Sequence, residues 1–293
     1  MMIEQVPFGD RLEAVFAAYG RLCVGIDPHA SLLAEWGQPD SAEGAREFGL
    51  RVVEAAADRV GIVKPQVAFF ERHGAAGYAV LERIIGEARD AGLLVIADVK
   101  RGDIGTSVEA YGEAWLRPGS SLESDAMTIS AYQGLGSIEQ VLVSAEEAGK
   151  GVFVLAATSN PEACAIQRAV LQQSSRAGST VAGAITSGVV SWNQGRADAS
   201  SRALGSAGVV LGATADLALA GIDINSEPPR PGLPVLAPGF GHQGGEIADL
   251  RVMFGSLAAG VIVSESRSIL SAGPDGIADA IARRADQVGA VGV

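Results

Sequence analysis

Lys64, Asp98, Lys100 and Asp103 are the residues of this chain whose types and spacing could do chemistry. Asp98 and Lys100 stand two apart in Ile-Ala-Asp98-Val99-Lys100-Arg101-Gly102-Asp103. Alternation along an extended strand turns both to one side and Val99 to the other. Lys64 ends a second apolar run, Ile-Val-Lys64-Pro65. Of the 22 basic residues only Lys64, Lys100 and Lys150 are lysines, so two of the three fall in this group. Withdrawing such charges from water is costly unless they are well paired, which favours a functional reading over an ion pair that merely holds one layer of a core. An ammonium fixed beside a carboxylate can stabilise negative charge developing on carbon. Alternatively, a strand-end lysine can attack a carbonyl and form an imine.

Other segments carry polar groups to the ends of apolar runs. Asp27 in Gly-Ile-Asp27-Pro28 precedes a proline, as Lys64 does, and proline biases both residues to extended backbone. Pro238-Gly239-Phe240-Gly241-His242-Gln243-Gly244-Gly245 is a glycine-rich loop before a helical stretch. Its amides and the helix N-terminus suit an anion such as phosphate. Ser264-Glu265-Ser266-Arg267 places a guanidinium that could grip the same phosphate. Thr158-Ser159-Asn160-Pro161 offers a hydroxyl and an amide for a planar heterocycle, or equally a helix cap by Ser159 or Asn160. His29, His73 and His242 form no ligand or triad spacing and read as surface or loop residues, although His242 sits close to the phosphate loop.

Those residues need elements to carry them. Eight short apolar runs recur: Leu22–Asp27, Gly61–Lys64, Leu93–Lys100, Ala126–Ser130, Gly151–Thr158, Gly208–Gly212, Pro234–Pro238 and Gly260–Ser264. Runs apolar on both faces are parallel strands buried on both sides. Between them, Phe69–Ala91, Ile138–Ala148, Thr180–Trp192 and Ile247–Leu257 show helical periodicity. Alternating strands and helices predict an α/β fold, a (β/α)8 TIM barrel, with the active site at the C-terminal ends of its strands. The phosphate loop then lies after strand seven and Arg267 after strand eight, a frequent phosphate address in barrels. An extra amphipathic stretch, Phe8–Tyr19, is expected to close the barrel floor. Residues 194–207 and 223–232 are polar insertions, expected as surface loops, and one domain is expected over residues 1–293.

Composition narrows the partners. The formal charge of -12 repels nucleic acid and anionic lipid, so a phosphate must be met by a local site. That favours a small ligand. No apolar run is long enough to span a membrane, and Met1–Asp10 lacks the basic and apolar regions of a secretory signal, which predicts a cytoplasmic protein. Cys23 and Cys164 are too few for a disulfide framework or a zinc site and read as reduced core thiols.

Asp98-Val-Lys100-Arg-Gly-Asp103-Ile104 resembles the Asp-x-Lys-x-x-Asp-Ile element of orotidine 5'-phosphate decarboxylases. The likeness continues through Leu22–Pro28, Val63–Glu71, Thr158–Glu162, Pro238–Gly245 and Arg267, and is to the longer bacterial branch of that family. The resemblance implies decarboxylation of orotidine 5'-monophosphate to uridine 5'-monophosphate, the last step of UMP synthesis, with no cofactor and no metal. It further implies that Lys100 protonates the carbon that loses carbon dioxide, Asp98 lies against the carboxylate and Lys64 holds the pair. Asp27 would bind ribose, Ser159 the pyrimidine edge, and Gln243 and Arg267 the phosphate, with Gly239, Gly241, Gly244 and Gly245 shaping its loop. Asp103 and Ile104 would cross a homodimer interface into the partner's site, where Ser107 would also contact ribose. Three positions depart from the pattern: Ser107 replaces a common threonine, Ala131 a frequent proline, and His242 a small residue. None removes a required functional group.

Related magnesium-dependent sugar-phosphate decarboxylases and aldolases share the Asp-x-Lys-x-x-Asp element but carry a carboxylate where Lys64 stands. A catalytically silent nucleotide-binding barrel is the remaining alternative, against which the intact Lys64, Asp98, Lys100 and Asp103 set speaks.

Overall fold

A computed structural model describes residues 5–196 and 201–292. Eight parallel strands close in sequence order into a barrel: β1 Leu22–Ile26, β2 Ile62–Pro65, β3 Leu94–Arg101, β4 Ala126–Ile129, β5 Gly151–Ala157, β6 Ala207–Leu211, β7 Val235–Pro238 and β8 Val261–Glu265. The helices are α1 Phe8–Tyr19, α2 Ala30–Glu35, α3 Ala42–Ala56, α4 Ala68–Glu71, α5 Gly74–Asp90, α6 Gly105–Leu116, α7 Glu139–Glu147, α8 Cys164–Gln167, α9 Val181–Gln194, α10 Leu250–Phe254, α11 Arg267–Leu270 and α12 Gly273–Gly289.

Side-chain alternation separates two cores. Val24, Val63, Val95, Ala97, Met127 and Val263 face outward and pack with the helices. Cys23, Ile62, Ile96, Ala126, Phe153 and Ile262 face inward and fill the barrel. Two residues further along four of these strands, the inward position becomes polar: Lys64 after Ile62, Asp98 after Ile96, Thr128 after Ala126 and Ser264 after Ile262, all buried. The same pleat that packs the apolar floor thus lifts a polar layer to the mouth.

Helix α1 closes the floor, as its amphipathic pattern predicts. Phe8 and Leu12 are buried in the inward core, and the Phe8 ring meets Phe153 edge-on at 5.9 Å. Gly9 permits the approach, because a Cβ there would lie 2.2 Å from the Leu204 carbonyl oxygen. A charged network pins the helix: Arg11 pairs with Asp125 at 2.5 Å and Lys150 with Glu123 at 2.7 Å. Lys150 therefore serves the floor, not the mouth.

Some expectations are corrected. Residues 194–207 are not wholly a surface loop: Leu204 is buried in the floor core and bridges to Gly232 of the second insertion. Residues 197–200 of the first insertion lie outside the described residues. The Phe69–Ala91 helix is split at Arg72 and His73 before Gly74, whose φ is 62°. The Ile247–Leu257 stretch is α10 flanked by 3-10 turns, broken at Gly255, where a Cβ would come within 2.1 Å of the Ile224 carbonyl oxygen. Cys23 is a core thiol pushed up to about 12 by burial. Cys164, on the four-residue α8, is exposed and is not.

Candidate active site

The polar layer surrounds Asp98. Lys64 Nζ lies 3.1 Å and Lys100 Nζ 2.6 Å from the same oxygen, Oδ2. The other oxygen, Oδ1, accepts from Thr128 Oγ1 at 2.8 Å. With its amide assigned from this network, Gln66 donates to Asp98 Oδ2 and accepts from Lys100 Nζ at 3.2 Å. Lys64 is sealed in and Lys100 is half-exposed. One carboxylate is thus held between two ammoniums, one structural in its surroundings and one facing the mouth.

Electrostatics keep the cluster ionised. Burial alone would raise the Asp98 carboxyl, but Lys64 and then Lys100 outweigh it and hold it down at about 2. Burial alone would lower the Lys64 ammonium, but Asp98, with Asp27 behind it, holds it above the ordinary lysine range. Two ammoniums on Asp98 also oppose a divalent cation at that carboxylate by like-charge repulsion.

A cavity of about 280 Å³ opens above the cluster, lined by Asp27, Lys64 and Asp98 on one side and Gly239, Gln243 and Arg267 on the other. Asp27 Oδ1 is buried without a hydrogen-bond partner among the described residues, an acceptor left for a donor in the cavity. Across the cavity, Arg267 Nη1 lies 2.9 Å from His242 Nε2. Gln243 Oε1 accepts from Ser159 Oγ at 3.5 Å, so Ser159 stands at the rim next to the phosphate loop. Neither Ser159 nor Asn160 caps the 3-10 turn that follows, which has no side-chain cap.

The glycine loop differs from its expected form. Gly239, Gly241 and Gly244 adopt φ of 110°, 67° and 93°, open to glycine without strain. Yet the amides of Gly241, Gly244 and Gly245 donate to carbonyls of Gly245, Gly241 and Gly239 within the loop. No regular helix begins there either, only the 3-10 turn Gly241–Gln243. The loop folds on itself and presents Gln243, while Arg267 arrives from the end of β8.

Lys100, Ser159, Asp103, Ile104 and Ser107 are not among the residues that line this cavity; Lys100 meets it through Asp98 and Gln66, and Ser159 through Gln243, which do line it. Asp103 does not join the Lys64–Asp98–Lys100 cluster within this chain. Its Oδ1 accepts from the Ile104 N–H at 2.9 Å, and Ile104 itself is 61% exposed. Sequence reasoning missed Gln66, Thr128 and His29. Thr128 had a signal, being the hydroxyl at an inward position of a strand otherwise apolar. His29, which lines the cavity with its ring tilted against Phe69 at 4.3 Å between centroids, follows the Asp27-Pro28 strand end but has no ligand or triad spacing to mark it.

The family model described as orotidine 5'-phosphate decarboxylase / HUMPS family matches residues 20–280. The chain belongs to that family. It is 46% identical over 284 residues, 97% of this chain and 99% of the relative, to an orotidine 5'-phosphate decarboxylase of a Nocardioides species. It is 48% identical over 268 residues, 92% of this chain and 91% of the relative, to one of Salinispora arenicola. A solved structure of a candidate orotidine 5'-phosphate decarboxylase from Streptomyces avermitilis superposes with a TM-score of 0.89 at 44% identity, covering 99% of this chain and 97% of that one. Among the described residues no helix is long and apolar enough to cross a membrane.

Proposed function

We propose that this chain decarboxylates orotidine 5'-monophosphate to uridine 5'-monophosphate, the last step of UMP synthesis, with its own side chains and no metal or cofactor. The observation that carries the reading is Asp98 gripped by two ammoniums, Lys64 Nζ at 3.1 Å and Lys100 Nζ at 2.6 Å, below a cavity with a guanidinium at its far end. Family membership and relatives of that name support it.

The chemistry follows from charge. Breaking the bond from C6 to the carboxylate releases carbon dioxide and leaves an electron pair on C6 that the ring does not delocalise. Lys100 stabilises that pair and donates the proton that forms the new C–H bond, then regains one from solvent. Asp98 fixes Lys100 and sets its own charge against the departing carboxylate, and Lys64 keeps Asp98 ionised and in place. One ammonium about 4 Å from a unit charge contributes only about 4 kcal/mol at an effective dielectric of about 20. Remote binding must therefore supply part of the acceleration. Gln243 and Arg267 take the phosphate, Asp27 with its unpartnered Oδ1 the ribose, and Ser159 the pyrimidine edge.

The active form in this reading is a cytoplasmic homodimer of single-domain barrels, Asp103, Ile104 and Ser107 of each completing the other's site. The apolar side chains Ile104, Tyr132, Ile166 and Val170, all exposed after the ends of β3, β4 and β5, support such an interface. The test is the absorbance change of orotidine 5'-monophosphate with purified protein and excess chelator. Conversion to the UMP product is expected; failure in folded protein, with or without magnesium, overturns the activity.

A further inference from the structure

Lys100 has a left-handed backbone, with φ of 47°. A residue with a side chain stays there only where its surroundings enforce it. Strand β4 supplies one restraint: the Lys100 N–H donates to Thr128 Oγ1 at 3.0 Å, and the Arg101 carbonyl accepts from the Ser130 N–H at 2.7 Å. The register between β3 and β4 shifts between Ala97 and Arg101, so the chain bulges where Lys100 sits.

The second restraint comes from the opposite side. Arg101 donates from Nη2 to Glu71 Oε1 at 2.6 Å and from Nη1 to the Val99 carbonyl at 3.2 Å. The Tyr78 hydroxyl donates to the same Glu71 oxygen at 3.0 Å and lies 3.4 Å from Arg101 Nη2. Glu71 ends α4, immediately after the strand that carries Lys64, and Tyr78 is on α5. The three side chains therefore tie together the exits of the two strands that deliver ammoniums to Asp98. Arg101 in turn holds the Glu71 carboxyl below its ordinary range, which keeps the pair charged near neutrality. Glu71, Tyr78 and Arg101 do not line the cavity.

We propose that Glu71, Tyr78 and Arg101 form a positioning clamp that fixes the left-handed turn at Lys100 and so aims its ammonium. The inference rests on the decarboxylase reading and deepens it. Lys100 is half-exposed on a flexible stem, and its Nζ is held only by Asp98 and Gln66 among the described residues. Its aim depends on where its Cα–Cβ bond points, which the left-handed backbone sets. If β3 relaxed to an extended path at this point, the Cα–Cβ bond would leave in a different direction and the ammonium would lose its present aim.

The experiment compares steady-state kinetics and competitive inhibition by uridine 5'-monophosphate for wild type, Arg101→Met, Glu71→Gln, Tyr78→Phe and Arg101→Lys. Misaiming a catalytic group by an ångström costs up to about 100-fold, so Arg101→Met is expected to lower kcat about 10–100-fold. Its KM and UMP inhibition should stay within about twofold of wild type, the mark of a contribution made after binding. Glu71→Gln and Tyr78→Phe, which disturb the fold least, should show the same split to a smaller degree, and Arg101→Lys should recover part of the loss. Arg11→Met, which breaks the ion pair to Asp125 at the barrel floor, controls for general loosening and should keep kcat. Unchanged kcat in Arg101→Met and Tyr78→Phe, or a parallel loss in Arg11→Met at equal Tm, overturns the clamp. A wild type without turnover overturns the decarboxylase reading instead.

Discussion

Replacing Asp98 with asparagine keeps the side chain's size and removes its charge. Lys64, sealed beneath it, then loses the partner that outweighs its burial. Removing one member of a buried pair costs about 3–5 kcal/mol, because the other charge is left uncompensated. Part of that sum has a pH dependence that can be worked out. The native carboxyl lies at about 2 against an ordinary 3.8, and the difference corresponds to about 2 kcal/mol at roughly 1.36 kcal/mol per unit. A depressed carboxyl contributes stability that is present above the unfolded value and is lost as pH falls toward the folded one. Wild type should therefore lose stability between about pH 5 and pH 2 through this group, and Asp98→Asn should not. Urea denaturation at pH 7 is expected to show the variant less stable by about 3–5 kcal/mol. At pH 3 the gap should narrow by about 1 kcal/mol. A variant as stable as wild type, or a gap indifferent to pH, would refute the view that Lys64 and Asp98 depend on each other for burial.

Other substitutions separate chemistry, binding and fold. Lys100→Ala should abolish turnover while UMP still binds by calorimetry; near-normal turnover removes Lys100 from the mechanism. Arg267→Ala should chiefly raise KM, by roughly thirtyfold if one charged hydrogen bond of about 2 kcal/mol is lost, and a variant with full affinity contradicts its phosphate role. Orotidine, which lacks the phosphate, should be turned over far less efficiently even at saturation, because the remote contacts that organise the site are absent. Phe8→Ala should destabilise by about 3–5 kcal/mol in thermal or urea denaturation, since the ring is fully buried against Phe153 in the floor. The folded fraction should keep its kcat, whereas a loss of kcat would mean that floor packing is coupled to the mouth.

The barrel was legible because parallel strands buried on both faces leave uninterrupted apolar runs, and all eight runs became strands within a few residues of their expected bounds. The ends of helices were less so. Gly74 and Gly255 break two periodic stretches at positive φ, and at the second a neighbouring carbonyl occupies the space of a Cβ, a tertiary fact that periodicity does not contain. The glycine loop was recognisable as a special backbone, but not that its amides turn inward on its own carbonyls. At Asp98 and Lys100, alternation named the right neighbours by an incomplete route. Lys100 meets Asp98 from a left-handed backbone beside a register shift, not from a regular pleat.

Lysine scarcity was a sound clue whose meaning depended on address. All three lysines meet carboxylates, yet Lys150 precedes β5 and pairs with Glu123 and Asp125 at the floor, whereas Lys64 and Lys100 lie at the opposite ends of β2 and β3. At the floor, α1 covers the charged network and Arg11 and Arg89 add further cations to its carboxylates, so the group is closed and serves packing. At the mouth, Asp98 is saturated by its partners, but Lys100 is half-exposed and the nearby Asp27 Oδ1 has no partner among the described residues. A network complete in itself holds a fold together. One that leaves a half-exposed cation beside a buried acceptor that lines a cavity has remaining bonds to make with something that enters it, and in this barrel that difference separates the structural lysine from the two assigned to chemistry.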